Sequence, residues 1–168
     1  MKTWGDFVIE DYFEVSKGKR FTSLDRSKNL GRFPYISSTA FDNGFSGYVN
    51  NFTHEGKILT VVCYGEPAVT SYHEGKIWVS DSVNVLIPKF ENFNVYIGLF
   101  LKTIIEKNKF LFNYNRGLTL ERLEILRVRL PRTEKGKPDW KYMEDYVKSL
   151  DKLGALQRAD WQDSLINK

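Results

Sequence analysis

Apolar positions over the first ninety residues come in short runs punctuated by Gly, Pro and Asn, a spacing that predicts β-strands joined by tight connections. Phe7-Val8-Ile9 and Tyr12-Phe13-Glu14-Val15 are the first two, with Lys17-Gly18-Lys19-Arg20 as a turn after them. Phe33-Pro34-Tyr35-Ile36-Ser37 is a third, and Pro34, lacking an N–H to donate, suits an edge or a strand start. Asp42-Asn43-Gly44 is a turn because Asn and Gly tolerate positive φ. Tyr48-Val49, Val69 to Tyr72, Ile77 to Ser80 and Val83 to Ile87 continue the β pattern. Ile58 to Tyr64 is apolar almost throughout, which predicts a buried strand, broken by Gly65-Glu66-Pro67.

Beyond Pro88 the period changes. Asn94 can cap a helix whose apolar positions Val95, Leu99, Ile104 and Ile105, with Phe100 and Leu101, cover much of its circumference. A core helix is expected there. Thr119 to Leu123 reads as a helical turn, and Ile125 to Leu130 as a strand with Arg127 and Arg129 between its apolar positions. Arg132 to Pro138 is polar and contains Gly and Pro, as a linker does. An amphipathic helix follows, with Pro138 near its first turn and Asp139 favourable to the dipole. Trp140, Met143, Val147, Leu150 and Leu153 form its apolar stripe, Tyr142 and Tyr146 its edge, and Gly154 is the expected stop. That stripe must dock on its own domain or on a partner helix. The fold class is therefore α+β, β-rich, with a core helix and a C-terminal amphipathic helix.

A length of 168 residues with 42% hydrophobic and 15% aromatic side chains suffices for one folded domain, with or without a small appendage. The lone Cys63 lies in a strand pattern and is expected to be buried and inert. Met1 to Asp6 leads into no apolar signal region, and Val95 to Ile105 is too short to span a bilayer, so a cytoplasmic protein with no membrane partner is expected. The net charge of +4 is unevenly spread. Lys17, Lys19, Arg20, Arg26, Lys28 and Arg32 face only Asp25 in their block, while Arg116 to Lys137 holds seven bases against three acids. Residues 33–101 hold three bases and six acids. Folded together, the two basic blocks would attract a polyanion; folded apart, they are solvated surfaces.

Candidate chemistry centres on "HEGKI", present at His54 to Ile58 and again at His73 to Ile77. Two histidines nineteen residues apart, with no HxH, HExxH or Cys pair, make a weak ligand set, so no metal is expected. Asp42 followed by Glu55-Gly56-Lys57 has the residue types of a metal-dependent nuclease centre. Such a triplet must sit on a rigid strand, whereas Glu-Gly-Lys ahead of an apolar run reads as a turn, and its recurrence reads as repeated hairpin construction. There is no nucleophile elbow, and Gly44-Phe45-Ser46-Gly47 lacks the glycines and the strand-to-helix context of a phosphate or dinucleotide loop. The Asn/Asp-Pro-Pro-Tyr/Phe tetrapeptide expected of an adenine methyltransferase is likewise missing. No cofactor and no catalytic role are expected. Binding is the better class, with the nuclease and a protein-interaction module as alternatives.

Three stretches carry a resemblance. "KGKRFTSLDRSKNLGRFPYISSTAFDNGFSGYV" (17–49), "YNRGLTLERLEILRVRLP" (114–131) and "GKPDWKYMEDYVKSL" (136–150), in that order, resemble the target-recognition domain of restriction-modification specificity subunits. They look most like the BcgI-like type IIB and type IIG variety, which is related to type I. The resemblance spans roughly residues 4 to 150 and leaves out Gln157 to Lys168, with Trp161. It implies a non-catalytic domain over 1–132 that reads double-stranded DNA, and a helical segment over 137–168. That segment would contact a DNA methyltransferase subunit, or a second recognition unit, through Trp140, Met143, Val147 and Leu150. The bases Lys17, Lys19, Arg20, Arg26, Lys28, Arg32 and Arg122 would contact phosphates. Ser37, Ser38, Thr39 and Asn43 would face base edges or backbone, and Arg116 a groove. Many specificity subunits carry two recognition domains; one is visible in this chain, as in a half-subunit that forms a homodimer, or in a truncated piece.

Overall fold

The computed structural model describes residues 1–113 and 116–166, with side chains described as far as Lys152. Tyr114 and the side chains of Leu153 and Trp161 lie outside the described residues. All five residues of β5 (Ile58–Val62) are buried, because the strand is covered on both faces. It sits between β6 (Thr70–His73) and β8 (Val83–Pro88), and β2 (Phe13–Lys17) completes a four-stranded sheet in the order β2-β8-β5-β6. Each neighbouring pair is antiparallel.

Side-chain alternation splits this sheet into two faces. Leu59, Val61 and Leu86 join a cluster with Ile97, Leu101 and Ile105 of α3 (Val95–Glu106). On the other face Ile58, Val83 and Val85 meet Ile36, Ile77 and Val79. Ile36 and Val79 belong to a second, three-stranded sheet of β3 (Phe33–Ile36), β4 (Phe45–Val49) and β7 (Trp78–Val79), in the order β4-β3-β7. The molecule is thus layered as helix, large sheet, small sheet. Pro34 is tolerated in the central strand because β7 pairs only with Tyr35 and Ile36, so Pro34 is at the strand start on that side.

Asn94 caps α3 as its sequence predicts, accepting from the N–H groups of Tyr96 (3.0 Å) and Ile97 (3.2 Å). The buried face, however, is Ile97, Gly98, Phe100, Leu101 and Ile105; Val95 and Leu99 point outward, 37% and 42% exposed. A helix that is apolar all round does not disclose its buried stripe, and position along the sheet decides it.

The remaining elements close the helical side. β1 (Trp4–Val8) pairs antiparallel with β9 (Arg127–Pro131), with α1 (Ile9–Tyr12) after the first and α4 (Leu120–Glu124) before the second. Residues 132–138, expected as a linker, form instead a pinned turn. Arg132 N–H donates to Thr3 O (2.9 Å), Thr133 N–H to Lys137 O (2.8 Å) and Asp139 N–H to Pro131 O (2.8 Å). The turn launches α5 (Trp140–Ile166) directly onto the core. Met143 is fully buried there, Trp140 stacks on Phe90 with centroids 4.0 Å apart, and Lys2 pairs with Asp139. The helix runs through Gly154 rather than ending at it, since a glycine costs an α-helix only about 1 kcal/mol.

Candidate nucleic-acid interface

The first basic block does not close a hairpin after β2. Gly18 N–H donates to Val83 O (2.9 Å) and Lys19 N–H to Val79 O (2.8 Å), so the chain crosses from the large sheet to the small one. There it forms α2 (Ser23–Lys28), held by a capping box between Thr22 and Asp25 and burying no residue. The asparagines at its end hold it to the sheet: Asn50 N–H donates to Asn29 O (2.9 Å) and Asn50 Nδ2 to Asn29 Oδ1 (3.1 Å). α2 escapes hydrophobic periodicity because it has no buried stripe; the Thr22-x-x-Asp25 spacing was the signal that could have found it.

Four of the bases in and around this lobe lie over aromatic rings. Arg26 is 4.6 Å from the Tyr35 centroid, Arg32 is 5.3 Å from Phe33, Lys19 is 5.9 Å from Trp78 and Lys76 is 4.4 Å from Phe52. Phe21 stacks on Trp78 at 4.3 Å, and Trp78 Nε1 donates to Lys19 O (3.2 Å). The stems and rings cover one another; the Lys19, Arg32 and Lys76 charges stay at the surface, while Arg26 is drawn in far enough to bury its Nε. Lys17, Lys19, Arg20, Lys28 and Arg32 are exposed and Arg26 is half-buried.

The second block divides. Asn84 Nδ2 donates to Leu118 O (2.8 Å) and Leu118 N–H to Cys63 O (3.0 Å), which brings Arg116 and α4 to the end of β2 that carries Lys17. The Glu121 carboxyl is held below its usual range by hydrogen bonds from its own N–H and from Thr119, and then by Lys17 and Arg122. Lys17, Arg116 and Arg122 therefore continue the first block. Arg122 has a structural share as well, donating to Gly117 O at 2.7 Å. Arg127 and Arg129 are exposed on β9, opposite Val8 and Asp6 of β1, and belong to another surface.

The loop between β3 and β4 holds the four polar residues. Ser37, Ser38 and Thr39 are half-buried and Asn43 is exposed. Ser37 Oγ is 2.6 Å from Ser46 Oγ, and Thr39 Oγ1 accepts from Phe41 N–H (3.3 Å). Asn43 and Gly44 adopt positive φ, 54° and 82°, as their turn signal predicts, and Asp42 does so as well, at 48°.

The two "HEGKI" copies are not separate hairpin turns, and this corrects the reading from sequence. They lie antiparallel against each other: His54 faces Ile77 and Ile58 faces His73, which brings Gly56 up against the backbone of Glu74 and Gly75. A Cβ on Gly56 would lie 2.2 Å from Glu74 O, and its φ of 109° also requires glycine. The repeat is a self-complementary crossing, in which Lys76 Nζ meets Glu55 at 3.2 Å and Lys57 N–H donates to Glu74 O at 3.3 Å. Burial holds both histidines below their ordinary range, His73 down to about 4, with its Nε2 2.8 Å from Thr60 Oγ1. Glu55 meets only Lys76, in an exposed pair, and no group of three His, Cys, Asp or Glu among the described residues could hold a metal ion. The nuclease constellation of Asp42, Glu55 and Lys57 has no geometric support. Burial pushes the Cys63 thiol up, consistent with an inert side chain.

On the helix stripe, Met143 is fully buried, and Trp140 and Val147 pack against the same core. Met143 is therefore corrected from partner contact to core residue. Leu150 and Tyr146 remain 48% and 47% exposed. Among the described residues, no helix is long and apolar enough to cross a membrane.

Residues 1–158 match the model of the type I restriction modification DNA specificity domain. The chain belongs to this family. A type II restriction enzyme specificity subunit from Heyndrickxia coagulans is 28% identical over 153 residues, covering 89% of this chain and 44% of that protein. A putative type I specificity subunit from Mycoplasma pneumoniae is 23% identical over 124 residues, covering 74% of this chain and 34% of its own. Among solved structures, the type I S subunit from M. genitalium superposes with a TM-score of 0.66 at 16% identity, over 95% of this chain and 42% of that one. HsdS from Thermoanaerobacter tengcongensis gives 0.62 at 13% identity, over 93% and 39%. The chain spans under half the length of each of these proteins. The α+β fold is that of specificity-subunit domains, as the resemblance implied.

Proposed function

We propose that this domain recognises double-stranded DNA sequence-specifically and directs a partner DNA methyltransferase, with or without a nuclease, without catalysing a reaction itself. The observation that carries the reading is the joined basic surface. Lys17, Arg116 and Arg122 at the end of β2 run on into Lys19, Arg20, Arg26, Lys28 and Arg32 around the small sheet. These bases contact phosphates and set register, while Ser37, Ser38, Thr39 and Asn43 on the adjoining loop approach the bases of the duplex. As a component of a restriction-modification system the protein acts in the cytoplasm and needs no cofactor of its own.

α5 supplies the assembly surface. At 1.5 Å per residue a 27-residue helix is about 40 Å long, and among the described residues Trp140, Met143 and Val147 of its first turns pack on the core. Its exposed Leu150 and Tyr146, beside Leu99 of α3, are offered to the methyltransferase subunit or to the same helix of a second copy.

Mobility-shift titration of the chain together with its methyltransferase tests the recognition. Lys19→Glu with Arg20→Glu should weaken binding to all duplexes alike and flatten the salt dependence by about two. Binding with an unchanged salt slope would remove the basic surface from the interface. Mg²⁺-dependent plasmid cleavage lost in Glu55→Ala would overturn the non-catalytic reading.

A further inference from the structure

The loop between β3 and β4 does more than present polar groups. At its tip Phe41 is 77% exposed, although a phenyl ring gains about 2 kcal/mol from burial. The loop that exposes it is fixed. Ser37 N–H donates to Gly44 O (2.8 Å) and Gly44 N–H to Phe41 O (2.9 Å), closing both sides of the turn. Gly44 is buried beneath with φ 82°, where a Cβ would lie 2.9 Å from Ile36 Cγ2, so the turn is locked down by glycine. The ring is held out by a built scaffold.

Lysines of the α3 end lie against the loop that carries it. Ala40, the neighbour of Phe41, lines a groove of about 410 Å³ with Val69, Lys102, Thr103, Glu106, Lys107 and Lys109. Lys102 and Glu106 neutralise one another at 2.7 Å. Lys107 and Lys109 are exposed and form no ion pair among the described residues. An exposed ring on a loop whose next residue, Ala40, shares a groove with two uncompensated lysines matches a duplex, whose grooves offer apolar base groups between rows of phosphates.

We propose that Phe41 is a specificity-determining residue that makes apolar contact with base groups inside a DNA groove, while Lys107 and Lys109 hold the flanking phosphates. The proposal rests on the DNA-recognition reading and extends the interface beyond the two basic blocks, to the end of α3. Phe41 gives discrimination and the lysines give sequence-independent affinity, so their variants separate.

The experiment is selection from a random duplex library, by the full chain with its methyltransferase, for wild type, Phe41→Ala, Phe41→Leu and Lys107→Gln/Lys109→Gln. Phe41→Ala should fold normally, since its ring is exposed, and lose about tenfold discrimination at one or two adjacent base pairs. Phe41→Leu should keep part of it. The double lysine variant should select the wild-type sequence with lower affinity and a salt slope smaller by about two. Thymine-to-uracil replacement at the affected positions tells a methyl contact from insertion between bases, which 2-aminopurine fluorescence reports. If Phe41→Ala selects the wild-type sequence with unchanged ratios, or only weakens assembly with the methyltransferase, the inference is overturned and the recognition reading stands. If wild type enriches no sequence, both fall.

Discussion

On one face of the four-stranded sheet, Leu59, Val61 and Leu86 meet α3 and the first turns of α5 in a cluster of eighteen buried residues among those described. On the other face six aliphatic side chains lie between it and the small sheet, and the far side of that sheet buries, among the described residues, Tyr35, Val49 and Trp78. The helical face carries the stability. The small sheet, by contrast, is held by rings under cations, by the Asn29–Asn50 pair and by a two-residue strand. Stability and surface chemistry are thereby assigned to different layers, so the basic surface can be altered at small cost to folding.

The helical face should respond most. Met143→Ala empties a fully enclosed site beneath α5, and urea unfolding should show a loss of about 2–5 kcal/mol. A loss below about 1 kcal/mol would mean that α5 is not part of this core.

The layer between the sheets should respond to pH. His73 is buried and titrates near 4 when folded, against 6.5 unfolded, because burial disfavours its charged form. Between those values the unfolded chain binds the proton that the folded chain refuses, so stability is full above about pH 6.5 and falls with pH below it. At pH 5 the loss approaches about 2 kcal/mol, with His54 adding in the same direction. His73→Gln should flatten that slope in urea titrations at pH 7 and 5. An unchanged slope would assign it elsewhere.

How much of this was legible follows the range of the interactions. β5, β8, the Asn94 cap, α4 and the start of α5 are written in local patterns, and all form where those patterns put them. What local pattern cannot contain is who faces whom. The "HEGKI" copies look like two turns in one dimension and form one crossing in three. Lys107 and Lys109 look like the solvated end of a helix until the β3–β4 loop is folded beside them. The basic blocks likewise joined only in part, because Asn84 and Cys63 anchor Leu118 while β1 takes Arg127 and Arg129 away.

The small sheet should respond less in stability than in binding. Arg26 contributes its place over Tyr35, worth about 0.5–1 kcal/mol, so Arg26→Gln should lower stability by no more than that. Duplex affinity should fall in every sequence context, with the salt slope smaller by about one. A variant that unfolds readily yet binds normally would reverse the division of labour between the layers.

The smallest effect is expected at the crossing itself. Glu55 and Lys76 meet at 3.2 Å with side chains 74% and 46% exposed, a geometry in which water screens the pair. Exposed pairs of this kind contribute about 0–1 kcal/mol. Glu55→Gln should leave both stability and duplex binding within error of wild type, whereas Gly56→Ala, at the close approach to Glu74 O, should destabilise measurably. The contrast locates the reason for the repeat in its backbone. Gly56 lets the two copies close on each other, while Lys76 lies between Glu55 and the Phe52 ring and Glu74 accepts from the Tyr72 hydroxyl. A large loss of function in Glu55→Gln with normal stability would return chemistry to the motif.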